Sequence, residues 1–191
     1  IYANGGNYLS LLNKDIDDWT ITFADTGINA TMGERLMAVR KYLKDDETFL
    51  VNYSDVLTDL PLPEMITDFH NQDKVGMFMV TQPQRSFHVV QLDERSDVRQ
   101  ISTLTNSGLW VNGGYFIFRK EIFNYLNPGE ELVDDAFPKL INKNQLVGYR
   151  YDGTWITMDT FKEKQMLDDM YTKGDTPWEV WKESKFKLAT A

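Results

Sequence analysis

The apolar residues of this chain change period repeatedly along its length, and no long linker or low-complexity segment interrupts them. That alternation limits the fold more than any single motif, because a strand buries every second residue and a helix every third or fourth. Trp19-Thr20-Ile21-Thr22-Phe23 has the period of a half-buried strand. Thr31-Met32-Gly33-Glu34 is a capping-box signature, and Leu36, Val39, Tyr42 and Leu43 behind it share one helical face. Phe49-Leu50-Val51 is a short continuous apolar run, expected of a strand covered on both faces. Pro63 suits the first turn of a helix carrying Met65, Ile66 and Phe69. Val75 to Val80, Phe87 to Leu92 and Trp110 to Phe118 read as strands, and Ile122, Phe123 and Leu126 as a short helix. Leu132 to Ile141 is helical in pattern, with Pro138 demanding a kink or a late start. Leu146 to Tyr151 and Thr154 to Ile156 flank an Asp152-Gly153 turn, which predicts a hairpin. Thr160-Phe161-Lys162-Glu163 is a second capping box, opening a helix through Met166, Leu167 and Met170. Strands interleaved with helices predict an α/β sheet layered by helices.

Composition sets outer bounds on function. At 191 residues the chain suggests one domain and can bury a sizeable core. It contains no cysteine, so disulfides, thiolate zinc sites and cysteine nucleophiles are all excluded. No apolar stretch is long enough for a membrane span, and the expectation is a cytoplasmic protein without a membrane partner. Twenty basic residues against 29 acidic give a net charge of −9, which repels a nucleic-acid polymer. A nucleotide remains compatible with that charge if a divalent metal bridges the two. The chain opens at Ile1 without an initiator methionine, which fits either a trimmed precursor or a fragment.

Ligands of open α/β sheets bind beyond the carboxyl ends of the strands. Three segments put polar groups there: Asn52-Tyr53-Ser54-Asp55, Asn112-Gly113-Gly114, and Thr157-Met158-Asp159-Thr160. Each also has a plain structural explanation. Asp55 could cap a turn, the paired glycines could mark a bulge or crowded packing, and Asp159 could be a helix-start carboxylate. Taken together, two strand-end aspartates meet what magnesium requires: hard oxygen ligands, completed by phosphate oxygens and water. The two histidines, His70 and His88, lack partners at zinc-helix spacing, and no Walker loop, dinucleotide fingerprint or nucleophile elbow occurs.

Asp25-Thr26-Gly27, Gly33-Glu34-Arg35-Leu36, Phe49 to Asp55, Asn112-Gly113-Gly114, Trp155 to Thr160 and Pro177-Trp178 stand in an order and at separations that resemble the sugar-1-phosphate nucleotidyltransferases. The likeness runs from Trp19 to Lys182, and the closing Lys173 to Trp181 is most similar to the cytidylyl branch. The resemblance implies a mixed, mostly parallel sheet between helices in one domain over 1–191, with 174–191 as a tail. It further implies that a sugar 1-phosphate, glucose 1-phosphate for this branch, attacks the α-phosphorus of CTP. A sheet edge left open by loss of the opening strand favours self-association, so a homo-oligomer is expected. Carried over by position, Asp55 and Asp159 would be the catalytic residues and hold Mg2+. Asn112 and Gly113 would contact the sugar, Thr26 and Gly27 would line the nucleotide–sugar cleft, and Met158 and Thr160 would position Asp159.

The chain also departs from that pattern. The glycine-rich loop and Pro-Lys-Pro segment with which such proteins begin have no counterpart, so the N-terminal nucleotide-binding part is expected to be missing. The Glu-Lys pair that usually precedes Asn-Gly-Gly is absent from Ile101 to Asn106, and Ser54 and Val56 flank Asp55 where glycines are usual. A catalytically impaired paralogue, binding a nucleotide sugar or serving in an assembly, is therefore the second expectation. A two-carboxylate glycoside hydrolase is the third.

Overall fold

The computed structural model describes residues 2–3, 9–10, 20–43, 46–83, 87–105 and 107–182. In chain order the strands are β1 (Tyr2–Ala3), β2 (Leu9–Ser10), β3 (Thr48–Asn52), β4 (Val56–Thr58), β5 (Gly76–Thr81), β6 (His88–Leu92), β7 (Val98–Thr103), β8 (Val111–Arg119), β9 (Leu146–Tyr151) and β10 (Trp155–Thr157). The helices are α1 (Met32–Val39), α2 (Leu62–His70), α3 (Phe137–Asn142) and α4 (Phe161–Lys173). Four strands form the main sheet in the order β3-β8-β5-β9; the pairs β4–β10, β6–β7 and β1–β2 form separate antiparallel ribbons.

The sheet is mixed, as expected, but parallel pairing is confined to β5–β9. Both β8 contacts, with β3 and with β5, are antiparallel, so among the described strands the sheet is mostly antiparallel rather than mostly parallel. β8 is its spine. Phe116 and Phe118 point to one face and Ile117 to the other, the period-two alternation of a strand buried on both sides. On the first face Phe49 and Gly76 lie opposite Phe118 on its two flanks. A Cβ at Gly76 would stand 3.0 Å from the Phe118 ring, so the missing side chain there makes room for the ring. Phe116 stacks on Phe118 at 5.8 Å, and Phe137 meets both rings edge-on. Leu36 of α1 and Leu140 of α3 close this core, while Met65 and Phe69 of α2 close the opposite one with Met77, Met79 and Ile117.

Both capping boxes form: Thr31 with Glu34 on α1, and Thr160 with Glu163 on α4. Pro63 sits in the first turn of α2. Pro138 resolves in favour of a late start: a wide helical turn over Leu132–Ala136, closed by Ala136 N–H to the Glu131 carbonyl, precedes α3. Three expectations need correction. Residues 20–23 carry no strand, and Trp19 lies outside the described residues. Among the described residues β3 is an edge strand, flanked by β8 alone, and its Leu50 is 51% exposed rather than covered. β9 and β10 do not form a hairpin: β9 runs parallel to β5, and β10 pairs with β4.

Candidate active site

The short ribbon β4–β10 decides which of the sequence candidates meet. Its register sets Val56 opposite Thr157 and Thr58 opposite Trp155. The pairing then continues one step, with the Met158 N–H donating to the Asp55 carbonyl at 2.8 Å. Asp55 and Asp159, more than a hundred positions apart in sequence, thus emerge at the same end of one ribbon, and both are exposed. The cap of α4 is supplied by its neighbours. The Thr160 hydroxyl accepts from Glu163 N–H at 3.2 Å, and the Glu163 carboxylate accepts from the Thr160 and Asp159 backbone N–H groups at 2.9 and 3.0 Å. The Thr160–Glu163 pair thus makes the capping box, with Thr160 as the N-cap in place of Asp159. Met158 is 46% exposed beside Asp159.

The Asn112–Gly114 corner of β8 approaches the same ribbon. The Asn112 side-chain oxygen accepts from Gly114 N–H at 2.9 Å, and its amide nitrogen donates to the Tyr53 hydroxyl at 3.4 Å. Gly113 and Gly114 do have a packing reason. A Cβ on Gly113 would fall 2.2 Å from Met79 Cε, and Gly114 takes a left-handed φ of +78° against the Tyr53 side chain. The register of β5 against β8 shifts between Phe78 and Val80, so the corner is a bulge as well. The Trp155 indole N–H donates to the Gly113 carbonyl at 3.0 Å, joining the corner to β10. Leu50, Val51, Asn52, Leu62 and Tyr115 line a cavity of about 240 Å3 close by, at the carboxyl end of β3.

Thr26 and Gly27 lie elsewhere in the contact network. Gly27 N–H donates to the Asp25 carboxylate at 3.0 Å, and Arg35 of α1 donates to the Thr26 hydroxyl at 3.2 Å and the Ala30 carbonyl at 3.0 Å. These hydrogen bonds of the loop run to α1 and within the loop itself.

Tyr53 was not singled out by sequence, yet it stands between Asn112 and Asp55. Burial pushes its hydroxyl pKa up, the Asn112 hydrogen bond works against that, and the carboxylates of Glu131, Asp55 and Asp134 push it further up. Three carboxylates are thus close enough to act on the Tyr53 hydroxyl. Asp59, Tyr151 and Trp155 were missed too. The Asp59 carboxylate accepts from the Tyr151 hydroxyl at 2.5 Å and the Thr154 N–H at 2.7 Å, fixing the start of β10. Burial first, and the acceptor Asp59 second, raise the Tyr151 pKa. Asp59 and Trp155 each sit four positions from a candidate aspartate, and that placement at the root of the same two strands was the available signal.

Among the described residues no group of three or more His, Asp or Glu side chains could hold a metal. A two-carboxylate set remains, of the hard-oxygen type that magnesium accepts when phosphate and water complete its shell.

In sequence the chain is similar to sugar-1-phosphate nucleotidyltransferases, and in fold to a solved chain assigned to that group. It is 29% identical over 178 residues to the glucose-1-phosphate cytidylyltransferase of Salmonella typhi, covering 92% of this chain and 68% of that protein. A Bacillus subtilis protein assigned the same activity is 30% identical over 168 residues, with 86% of this chain and 65% of that one covered. The catalytic subunit beta of mannose-1-phosphate guanylyltransferase from Dictyostelium discoideum is 26% identical over 141 residues. A solved Bacillus anthracis chain assigned as a glucose-1-phosphate thymidylyltransferase shares the fold. It superposes with a TM-score of 0.55 at 16% identity, over 73% of this chain and 60% of that one. No family model matches the chain.

Proposed function

We propose that this chain carries the magnesium-dependent transfer of a cytidylyl group from CTP to glucose 1-phosphate, giving CDP-glucose and pyrophosphate. The observation that supports it most is the Met158 N–H to Asp55 carbonyl bond, which brings two distant aspartates to one ribbon end. In the reaction a phosphate oxygen of the sugar forms a bond to the α-phosphorus, and the bond to the bridging oxygen of pyrophosphate breaks. Asp55 and Asp159 would hold Mg2+, which when bound supplies Lewis-acid polarisation of the phosphates and a template for them. The net charge of −9, with Asp55 itself acting on Tyr53, supports that need, because a triphosphate without a counter-charge is repelled. Asn112 would orient sugar hydroxyls through its amide nitrogen, which also donates to the Tyr53 hydroxyl, with its oxygen committed to Gly114 N–H. Gly113 would contact the sugar beside Asn112, its missing side chain serving the packing of Met79. Met158 and Thr160 fix the direction of Asp159, and Thr26 and Gly27 would face the nucleotide across the cleft. The protein's share is alignment and charge compensation rather than covalent catalysis.

The same reading places the protein in the cytoplasm, where its substrates are made. Among the described residues no helix is long and apolar enough to cross a membrane. It also makes the protein a homo-oligomer, a view supported by the β6–β7 ribbon, which exposes Val90, Leu92, Val98 and Ile101. Light scattering of the purified chain tests that part, and a monomer at all concentrations would overturn it.

Incubation of the 191-residue protein with MgCl2, CTP and glucose 1-phosphate tests the activity. The expected result is CDP-glucose with stoichiometric pyrophosphate, abolished by EDTA and lowered at least about 100-fold by D55N or D159N. Absence of any nucleotide sugar with CTP, GTP, UTP or dTTP would overturn the proposal. Calorimetric binding of CDP-glucose without turnover would favour the paralogue instead. Glycoside hydrolysis that survives EDTA would favour the two-carboxylate hydrolase.

A further inference from the structure

The ribbon β4–β10 is not part of the four-stranded sheet, although it bears both aspartates. Two aromatic side chains fasten it there. The Trp155 indole N–H donates to the Gly113 carbonyl at 3.0 Å, and the Tyr115 hydroxyl donates to the Val56 carbonyl at 3.2 Å. One bond starts on the ribbon and ends on β8, and the other runs the opposite way. Trp155 and Tyr115 both pack against the core cluster of Met77, Met79 and Ile117, so each donor projects from a fixed ring. Gly113 and Tyr115 are also next to the corner that aims Asn112.

We propose that Trp155 and Tyr115 are positioning residues that clamp the ribbon carrying Asp55 and Asp159 to the β8 corner carrying Asn112 and Gly113, holding the phosphate and sugar ends of the cleft in register. The inference rests on the nucleotidyltransferase reading. It has a specific kinetic signature, because Asp55 and Asp159 share one ribbon and move together if the clamp loosens. Each end of the site then keeps its own ligand contacts, and what is lost is the alignment between them.

The test removes each donor in the full 191-residue chain: Y115F keeps the ring, and W155F keeps an aromatic side chain in place of the indole. Turnover is measured with CTP and glucose 1-phosphate over a range of MgCl2 concentrations. The expected result is a fall in kcat of about fivefold or more in each variant, the effect of one hydrogen bond of ordinary strength. KM for glucose 1-phosphate and the half-saturating Mg2+ concentration stay within about twofold. Hydrogen exchange supplies a readout independent of turnover. The amides of β4 and β10, Met158 included, should exchange about fivefold faster in each variant while β5 and β8 keep their protection. Unchanged exchange in both variants overturns the clamp. A wild-type kcat in both, or a change confined to KM, overturns the alignment role. A wild type that makes no nucleotide sugar sinks the underlying reading and the alignment role with it, while the exchange rates still decide whether the clamp exists.

Discussion

Gly33 shows how one residue carries a long-range requirement. It lies on α1, where alanine would ordinarily be favoured by about 1 kcal/mol. A Cβ there, however, would stand 2.2 Å from the Glu130 carbonyl oxygen and 3.1 Å from its carbonyl carbon. Those are backbone atoms and cannot swing aside. The same junction is held by the Thr31 hydroxyl donating to the Glu130 carbonyl at 2.9 Å and Met32 N–H donating to the Glu131 carboxylate at 2.9 Å. G33A should therefore be destabilised by about 1–3 kcal/mol in spite of the better helix propensity, as overpacked cores are. A urea midpoint equal to or above the wild type would contradict this.

At the scale of elements, the signals that lie within a few residues of one another were legible in the sequence. Thr31 with Glu34 and Thr160 with Glu163 form their boxes because both partners are on one helical turn. Asp152-Gly153 looked equally local but misled. A two-residue hairpin of that type needs positive φ at its centre. Gly153 is not among the glycines with positive φ, and its neighbours Tyr151 and Thr154 both donate to Asp59. Partners from distant sequence choose the pairing of β9 and β10, and no spacing within residues 146–157 encodes Asp59 or β4. The aspartate pair of the candidate site was legible as two strand ends, whereas the ties that aim it, Tyr53, Trp155 and Asp59, were not. The junction of α3 with the segment before it yields a measurable consequence. Lys139 donates to the Glu130 carboxylate at 2.5 Å, and Asn127 donates to it from its side chain and its backbone. Lys139 first and Asn127 second hold the Glu130 pKa down at about 2. A carboxylate with a depressed folded pKa contributes stability above its unfolded value, near 4.5, and loses it as pH falls toward about 2. Between pH 5 and pH 2 the wild type should thus lose more stability than E130Q, as read from urea midpoints at each pH. Parallel pH profiles for the two proteins would contradict it.

For the whole molecule, the layered arrangement and the charge pull in different directions. Burial of both sheet faces, by α1 and α3 on one side and α2 on the other, makes a rigid platform from which the β4–β10 ribbon presents its aspartates. The net charge of −9 surrounds that platform with a field that repels polyphosphates. Local cation binding at two carboxylates can cancel the repulsion at short range, but the approach of a nucleotide is governed by the whole field. Screening with monovalent salt shortens the reach of that field from about 30 Å at 0.01 M to about 8 Å at 0.15 M. The reaction proposed for this chain should therefore show a KM for CTP that falls by about two- to threefold as KCl rises from 10 to 150 mM at saturating MgCl2, with kcat nearly constant. A KM that rises with salt would mean that the triphosphate is drawn in by a local cationic surface instead, against the sign of the net charge.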